Sequence, residues 1–177
     1  MKTFSKRSKG FTLIELVVVI AVFGIMTSMA APSFMTMIRD NRTITQTNEL
    51  VGSLQLARSE AARRGVQVTI RSNSVDDNDW DQGWMVFTDW DGDGVFDGGG
   101  DAVLRTQAAL PNNMTLRTAG NYTKWLGYLP SGLPTSPGNG ADEFRICPSN
   151  ADKTRARLVN VNVTGRPTTQ QGTTVCP

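Results

Sequence analysis

The chain of 177 residues contains no histidine. Histidine is the usual general base near neutral pH and the commonest metal ligand, so its absence argues against most catalytic triads and imidazole metal centres. The sequence also lacks a nucleophile elbow, a phosphate-binding loop and an HExxH motif. Closely spaced carboxylates are concentrated in one acidic stretch, residues 76–101. These absences predict a protein that is not an enzyme.

Cysteine is scarce, with only Cys147 and Cys176 near the C-terminus. In an oxidising compartment such a pair forms a disulfide, and two free thiols are the alternative. A catalytic thiol is disfavoured because no histidine is present to activate it. We expect a Cys147–Cys176 disulfide that closes a loop of about 30 residues and stabilises the fold by roughly 3–4 kcal/mol.

Helix breakers are scarce in the first third of the chain, where Pro32 is the only proline between Phe11 and Arg64. One proline removes one backbone hydrogen bond and kinks a helix more often than it ends it. Gly65 follows two arginines and is a typical helix end. We therefore expect one nearly continuous helix, about 80 Å long at ~1.5 Å per residue. Its second half carries an apolar stripe at helical spacing, which consists of Leu50, Leu54, Ala57 and Ala61.

A carboxylate lies at the head of the first apolar run. The run extends from Leu16 to Ala30 and is interrupted only by Thr27 and Ser28, so it approaches the ~20 residues that span a bilayer. Glu15 directly precedes it, and an unpaired charge at membrane depth costs several kcal/mol. The residue pattern therefore predicts a cationic partner for Glu15, of which the nearest is an α-amine released by cleavage before Phe11.

Residues Gly10 to Glu15, with the sequence Gly-Phe-Thr-Leu-Ile-Glu, resemble the class III signal of type IV prepilins and type II secretion pseudopilins. This resemblance implies that a prepilin peptidase cleaves between Gly10 and Phe11 and methylates the new amine to give N-methylphenylalanine. It also implies that Glu15 pairs with the Phe11 amine of a neighbouring subunit during assembly. An ordinary secretory signal, cleaved near residues 30–32, is the alternative, but it leaves Glu15 unexplained.

The resemblance divides the chain into a leader peptide (residues 1–10), a transmembrane and filament-core helix (11–34), an amphipathic helix (35–65) and a β-rich globular head (66–177). The leader is basic and fits the cytoplasmic side of the inner membrane. The implied location is a single pass through that membrane with a periplasmic head, followed by a pilus or pseudopilus after assembly. Without the four leader cations the chain has 14 basic and 16 acidic residues.

Alternating apolar residues predict short strands after Gly65. The expected strands are residues 66–71, 84–88, 102–105, 114–117, 125–129, 144–147 and 157–163. The acidic stretch between the second and third strands predicts a hairpin, and residues 130–140, rich in proline and glycine, predict a loop. The fold class is therefore α+β: a long N-terminal helix packed against a small antiparallel β head, pilin-like, which could be divided into two sheets.

The head resembles minor pilins of the FimT/FimU type and pseudopilins of the GspH type. The matching stretches are Leu56–Ala61, Gly83–Asp89 and Val103–Arg105. The resemblance implies a structural subunit of a type IV pilus that helps to prime or cap the filament tip, with other pilins as partners. A GspH-type pseudopilin of type II secretion and a DNA-binding competence pilin are the alternatives. Arg58 and Glu60 are interpreted as a solvated helix face.

The acidic stretch holds a candidate calcium site. Aspartates at loop positions 1, 3, 5 and 9, with glycine at 6, imitate a calcium loop; they are Asp89, Asp91, Asp93 and Asp97. The position that calls for a bidentate glutamate is Gly100, and no helices flank the loop. A hairpin turn in which short carboxylates accept nearby backbone N–H groups is the alternative, and no other cofactor is expected.

The C-terminal part holds candidate DNA-binding residues. Residues 102–177 contain eight basic and three acidic residues, and phosphate backbones are attracted to such surfaces. The candidates are Arg155, Arg157 and Arg166. DNA-binding pilins of the FimT type carry a Gly-Arg-x-Arg motif, which the stretch Gly165–Thr168 resembles with threonine in place of the second arginine. A solvated, solubilising surface is the alternative.

Overall fold

The computed structural model describes residues 10–138, 140–172, 175 and 176, so the leader cations lie outside the described residues. Helix α1 spans Leu13–Arg64 and continues past residue 32. Gly65 ends it in a left-handed conformation, and its N–H donates to the Ala61 carbonyl at 3.0 Å. In the described residues nine strands follow: β1 Gln67–Ser72, β2 Trp84–Asp89, β3 Val103–Gln107, β4 Thr115–Thr118, β5 Trp125–Tyr128, β6 Pro134–Thr135, β7 Asp142–Cys147, β8 Arg157–Val161 and β9 Pro167–Gln171.

The chain forms two compact units that divide between Ile38 and Arg39, four residues beyond the expected boundary at residue 34. In the first unit α1 exposes its large apolar side chains: those from Leu13 to Met26 are between 47% and 80% exposed. The second unit contains the rest of α1 and all nine strands. It has a hydrophobic core of its own.

All strand pairings are antiparallel. One sheet has five strands in the order β3-β2-β1-β5-β6, and the other has four in the order β4-β7-β8-β9. β2 and β3 form the hairpin that the acidic stretch predicts, with Trp84 opposite Gln107. The α+β fold, with one long helix and an antiparallel β part, and the division into two sheets are confirmed.

The core of the second unit lies between α1 and both sheets. The predicted stripe of α1, Leu50 to Ala61, is fully buried. It belongs to one cluster with the inward side chains of the two sheets, among them Ile70 and Leu126 from the first and Ile146 and Val159 from the second. Alternate residues of a strand point to opposite faces, which is why alternation in the sequence located most of these strands.

Buried tryptophans tie the elements together. The Trp84 indole N–H donates to the Ser53 hydroxyl at 3.0 Å and joins β2 to α1. The Trp80 indole N–H donates to the Tyr122 carbonyl at 3.1 Å, and its ring packs edge-on against Phe144 of the second sheet, with centroids 5.0 Å apart. A buried indole N–H needs such a partner, so both contacts specify one arrangement of the layers.

Two further links join segments that are distant in sequence. The Asp142 carboxylate, at the start of β7, accepts the backbone N–H groups of residues 119–122 and of Glu143 at 2.7–3.1 Å. The predicted Cys147–Cys176 disulfide is present and joins the end of β7 to the C-terminal segment. Backbone donors near a carboxylate form strong hydrogen bonds, so Asp142 organises the loop before β5.

Three features differ from the sequence expectation. The helix starts at Leu13 and not at Phe11, because Thr12 caps it. β6 lies inside residues 130–140, which were expected to be a loop. The predicted last strand, 157–163, ends at Val161 and is followed by β9. β6 has two residues and β9 is a polar edge strand that begins with Pro167, so neither shows apolar alternation.

The two buried tyrosines predict a loss of stability at alkaline pH. Burial raises the pKa of Tyr122 to about 12, and burial likewise raises the pKa of Tyr128, whereas a tyrosine in an unfolded chain ionises near pH ~10. The neutral phenols stabilise the fold fully below pH ~10, and this contribution is lost as the pH rises through the folded-state pKa. The free energy of unfolding should fall by about 1.4 kcal/mol per pH unit for each group above pH ~10.

Urea unfolding followed by tryptophan fluorescence at several pH values measures this slope. Tyr122→Phe is the control, because the Tyr122 hydroxyl has only a 3.5 Å contact with the Val161 carbonyl. The variant should show a shallower slope than the natural chain. Equal slopes for the two proteins would contradict the prediction.

Candidate functional site

The residues that the resemblance assigns to processing and assembly lie at the start of α1 or just before it. The Thr12 hydroxyl accepts the Glu15 backbone N–H at 3.2 Å, and the Thr12 carbonyl accepts the Leu16 N–H at 3.2 Å. Threonine followed three residues later by glutamate is the spacing of a capping box. A carboxylate in the first turn also interacts favourably with the helix dipole. Thr12 therefore caps the helix, and Glu15 occupies the position where a carboxylate stabilises a helix start.

The same segment is open to other molecules. Gly10 lies before the helix, and Phe11 is 86% exposed. Glu15 is exposed, and no ion pair to its carboxylate is found within the described residues. The bond between Gly10 and Phe11 is accessible to a protease, and the Glu15 carboxylate is free to meet a cation from another chain.

The apolar helix surface beside Glu15 is large. α1 is long enough and apolar enough to cross a membrane, and monomeric soluble proteins rarely expose contiguous apolar surface beyond a few hundred Å². In the part of the chain that the structure describes, no residue of the most apolar 18-residue window of α1 is buried. An exposed apolar surface of this kind is typical of segments that contact a membrane or another protein.

The second half of the acidic stretch, residues 90–101, belongs to the turn between β2 and β3. Asp89, the last residue of β2, holds this turn together. The Asp89 side chain is fully buried. Its Oδ2 accepts the Thr69 hydroxyl at 2.6 Å, the Gln67 amide at 2.9 Å and the Gly94 N–H at 3.0 Å. Its Oδ1 accepts the Gly92 N–H at 2.8 Å. A carboxylate offers about four acceptor positions, so these four donors satisfy Asp89 completely.

The exposed aspartates of the turn accept backbone N–H groups two residues further along the chain. Asp91 accepts that of Asp93 at 3.4 Å, Asp93 that of Val95 at 2.6 Å and Asp97 that of Gly99 at 2.8 Å. Carboxylate oxygens of Asp89, Asp91 and Asp93 lie within 4.8 Å of one another, and Asp97 is not part of this group. The hydrogen bonds are those of a series of Asx turns, as the hairpin interpretation expects, and the three clustered carboxylates could also hold a metal ion.

The turn is held against the outer face of the first sheet. Gly94 has a φ of +77°, and a Cβ at this position would come within 2.2 Å of the Trp125 ring. The Gly94 carbonyl accepts a hydrogen bond from the Arg71 guanidinium. A glycine is required here by both the backbone conformation and the close approach, which explains the position of the glycine without reference to a metal.

The three candidate DNA-binding arginines do not form one patch. Arg155 pairs with Asp40 on α1 and with Asp152, at 3.2 Å from the latter, and the hydrogen bond to Asp40 raises the pKa of the Arg155 guanidinium. Arg157 lies at one end of the β8–β9 hairpin, opposite Gln171. Arg166 lies at the other end, five positions away or about 16 Å at ~3.3 Å per residue.

The prediction that Arg58 lies on a solvated helix face is wrong. Arg58 is half-buried and not a solvated position. Its Nε donates to the Gly132 carbonyl at 3.1 Å and its Nη2 donates to the Thr164 carbonyl at 3.0 Å. Arg58 therefore ties α1 to the β5–β6 loop and to the β8–β9 turn. Glu60, in contrast, pairs with Arg63 and Arg64 along the helix.

Asp89→Ala should destabilise the second unit strongly, because it leaves four donors without this acceptor, two of them buried and two half-buried. We expect the free energy of unfolding to fall by about 2–4 kcal/mol. Asp97→Ala is the matched control: it removes an exposed aspartate from the same turn and should cost less than ~1 kcal/mol. Denaturant unfolding of the full chain in detergent, followed by tryptophan fluorescence, measures both.

Millimolar calcium should leave the melting temperature of the natural chain unchanged to within ~1 °C. A rise of several degrees that Asp91→Ala abolishes would show that the turn binds calcium after all.

Two family models match the chain. The model described as type II transport protein GspH matches residues 46–165, and the prokaryotic N-terminal methylation motif matches residues 5–31. Among curated proteins, a fimbrial protein of Pseudomonas aeruginosa is 33% identical over 89 residues, which are 50% of this chain and 56% of the relative. The chain thus spans about half the length of the curated relatives it matches.

Solved structures show the same fold. The type IV minor pilin FimU of Pseudomonas aeruginosa is similar in two crystal forms, with TM-scores of 0.59 and 0.55 at 23% identity; the matches cover 77% and 73% of this chain and 96% of FimU in each case. The minor pseudopilin EpsH of Vibrio cholerae type 2 secretion is similar with a TM-score of 0.53 at 16% identity, covering 73% of this chain and 97% of EpsH.

The resemblance to the FimT/FimU/GspH group, which the sequence predicted from the N-terminal motif and the head, is confirmed by these matches. The GspH model extends over well more than half of the chain, from the middle of α1 to the β8–β9 turn. The chain therefore belongs to the GspH family of pilin-like proteins.

Proposed function

We propose that the chain is a minor pilin, a structural subunit that helps to prime or cap the tip of a type IV pilus. The observation that carries this proposal is the exposed apolar first unit of α1 with Glu15 at its head. Membership of the GspH family supports a structural role and gives no support to an enzymatic one. The FimU and fimbrial-protein matches support the pilus over the alternative, a GspH-type pseudopilin of type II secretion.

The first unit of α1 suits two successive environments. Before assembly, it would span the inner membrane with the second unit in the periplasm; after assembly, it would pack among the helices of other subunits. Lipid tails are as apolar as leucine side chains, so burial of apolar area does not by itself favour one environment over the other. A polar pair is needed to fix the register of the helices, and Glu15 is the ionisable group that the segment offers.

The partner of Glu15 in this proposal is the α-amine of Phe11 in a neighbouring subunit. That amine exists only if a prepilin peptidase removes residues 1–10. The exposure of Gly10 and Phe11 and the match to the N-terminal methylation motif support this step. Cleavage thus both removes the basic leader and creates the cation that assembly uses.

The role of a nucleic-acid receptor gains little from the geometry. Arg155 is neutralised by two carboxylates, and Arg157 lies about 16 Å from Arg166 at ~3.3 Å per residue. A row of free cations along the backbone is what phosphate recognition needs. We therefore do not extend the proposal to DNA binding.

The mature chain should begin at Phe11 and carry a methyl group on its amine. Intact mass spectrometry of the protein from membranes of cells that contain a prepilin peptidase measures this directly. When Gly10 is replaced by valine, the precursor should remain uncleaved, because a branched side chain obstructs cleavage of the bond before Phe11. A mature chain that starts near residue 31 would contradict the proposal and favour an ordinary secretory signal.

Glu15→Gln should reduce incorporation into filaments at least tenfold, because it removes the charge that pairs with the neighbouring amine. Glutamine retains the shape and the capping capacity of glutamate at this helix position, so the substitution tests the charge alone. The measurement is the amount of the subunit in sheared surface pili, relative to the amount in membranes.

Thr12→Val is the control for helix capping. It removes the hydroxyl that accepts the Glu15 N–H while it keeps the carboxylate, and it should reduce incorporation less than twofold. If Thr12→Val and Glu15→Gln are equally defective, Glu15 acts as a helix cap and not as a partner of the amine. If the natural chain is absent from pili and present in secretion pseudopili, the alternative assignment is correct.

A further inference from the structure

Two arginines meet at a groove that the assembly function leaves unused. The groove has a volume of about 640 Å³ and lies beside the face of α1 that carries Arg58. The β5–β6 loop forms its second wall and the β8–β9 turn its third. The polar side chains that line the groove are Gln55, Arg58, Ser59, Ser131 and Arg166.

The positive charge of this groove is not compensated within the described residues. Arg58 donates only to the neutral carbonyls of Gly132 and Thr164. Arg166 is exposed, and neither arginine forms an ion pair there. Ion pairs with carboxylates are common elsewhere in the described residues of the second unit. Seven basic side chains form them, namely Arg63, Arg64, Arg105, Arg117, Lys124, Arg145 and Arg155.

Arg58 is presented in a fixed orientation. A guanidinium has five N–H donors, and the two that Arg58 uses hold it between α1 and the two loops. The turn that carries Arg166 is also fixed, since Gly165 has a φ of +79° and a Cβ there would approach the Gly132 carbonyl oxygen to 2.4 Å. The remaining N–H groups of Arg58 are free to bind an anion. Arginine donors match the two oxygens of a carboxylate.

We propose that this groove binds a carboxylate-bearing peptide segment of a neighbouring subunit, with Arg58 and Arg166 as the binding residues. The proposal rests on the proposed function, because a filament brings the second units of adjacent subunits together. This chain itself carries such a segment: its β2–β3 turn exposes Asp91, Asp93 and Asp97, and none of the three has an ion-pair partner in the described part of the chain.

A peptide fits the groove better than a nucleic acid does. Phosphates along a nucleic acid need a series of cations, and the groove offers two at one end of the β8–β9 hairpin. A short acidic segment places one or two carboxylates, which these two cations can match.

Binding of a fluorescein-labelled hexaglutamate peptide to the full chain in nonionic detergent, measured by fluorescence anisotropy at low salt, tests the proposal. The natural chain should bind with a Kd below about 1 mM. Arg166→Glu should weaken binding at least fivefold, since Arg166 is exposed and the substitution leaves the fold intact. Lys153→Glu is the matched control, because it makes the same change of charge at an exposed position outside the groove, and it should stay within twofold.

Ser131→Asp is a second variant, which supplies a carboxylate inside the groove. It should weaken peptide binding at least fivefold by occupying the arginines, with an unchanged circular dichroism spectrum. Equal effects of Arg166→Glu and Lys153→Glu would overturn the proposal, as would no binding by the natural chain. Tighter binding of a 20-base-pair DNA duplex, weakened by Arg166→Glu, would overturn it in favour of a nucleic-acid site.

Separate measurements test the groove proposal and the proposed function. The amount of natural chain in sheared pili tests assembly. If the natural chain enters pili and hexaglutamate does not bind, the groove proposal fails and the assignment as a minor pilin stands. If the natural chain does not enter pili, the proposed function fails whatever the peptide does.

Discussion

The apolar surface of helix α1 must be covered, and the chain covers only part of it. In the second unit the stripe from Leu50 to Ala61 is fully buried against two sheets. In the first unit the large apolar side chains from Leu13 to Met26 are at least 47% exposed. Burial of apolar surface contributes roughly 25 cal/mol per Å², so the exposed half represents a large unused interaction. The fold leaves this half of α1 bare, so its apolar surface is available to a bilayer or to the helices of other subunits.

Apolar packing alone does not decide how helices align. Small shifts along a helix exchange one apolar contact for another, and lipid competes on equal terms. A charge behaves differently, because its energy depends steeply on the distance to a partner and on desolvation. Glu15 is suited to this task by its position: Thr12 caps the helix, so the carboxylate lies in a rigid first turn and not in a frayed end. Capping and pairing are thus compatible roles, and the first makes the second more accurate.

The sequence predicted those parts of the fold that depend on local periodicity. The stripe Leu50–Ala61, the helix end at Gly65 and the strands with alternating apolar residues lie where they were expected. β9 was missed because its residues are polar and exposed, so no pattern marks it. It exists because Thr168 and Thr169 pair with β8, and pairing with a neighbour is not written in one strand alone.

The charged residues show the same limit more clearly. The sequence makes Arg155 a candidate for DNA binding, yet its partner Asp40 lies 115 residues earlier. It predicts a solvated Arg58, yet the two acceptors of Arg58 lie 74 and 106 residues later. Composition counts charges, but only the fold decides which of them meet. A surplus of basic residues in the C-terminal part of the sequence therefore says little about where positive charge is available.

The turn between β2 and β3 and the arginine groove illustrate how availability is decided. Asp89 and Asp91 are two residues apart in one acidic stretch, but Asp89 is buried with four donors and Asp91 is exposed with one. Arg155 and Arg166 belong to one basic segment, but the first is paired twice and the second not at all within the described residues. In both pairs the first member is used within the fold and the second leaves its charge available to another molecule. A filament subunit can use both kinds, because charges that its own folding leaves unpaired can take part in the recognition of a neighbouring subunit.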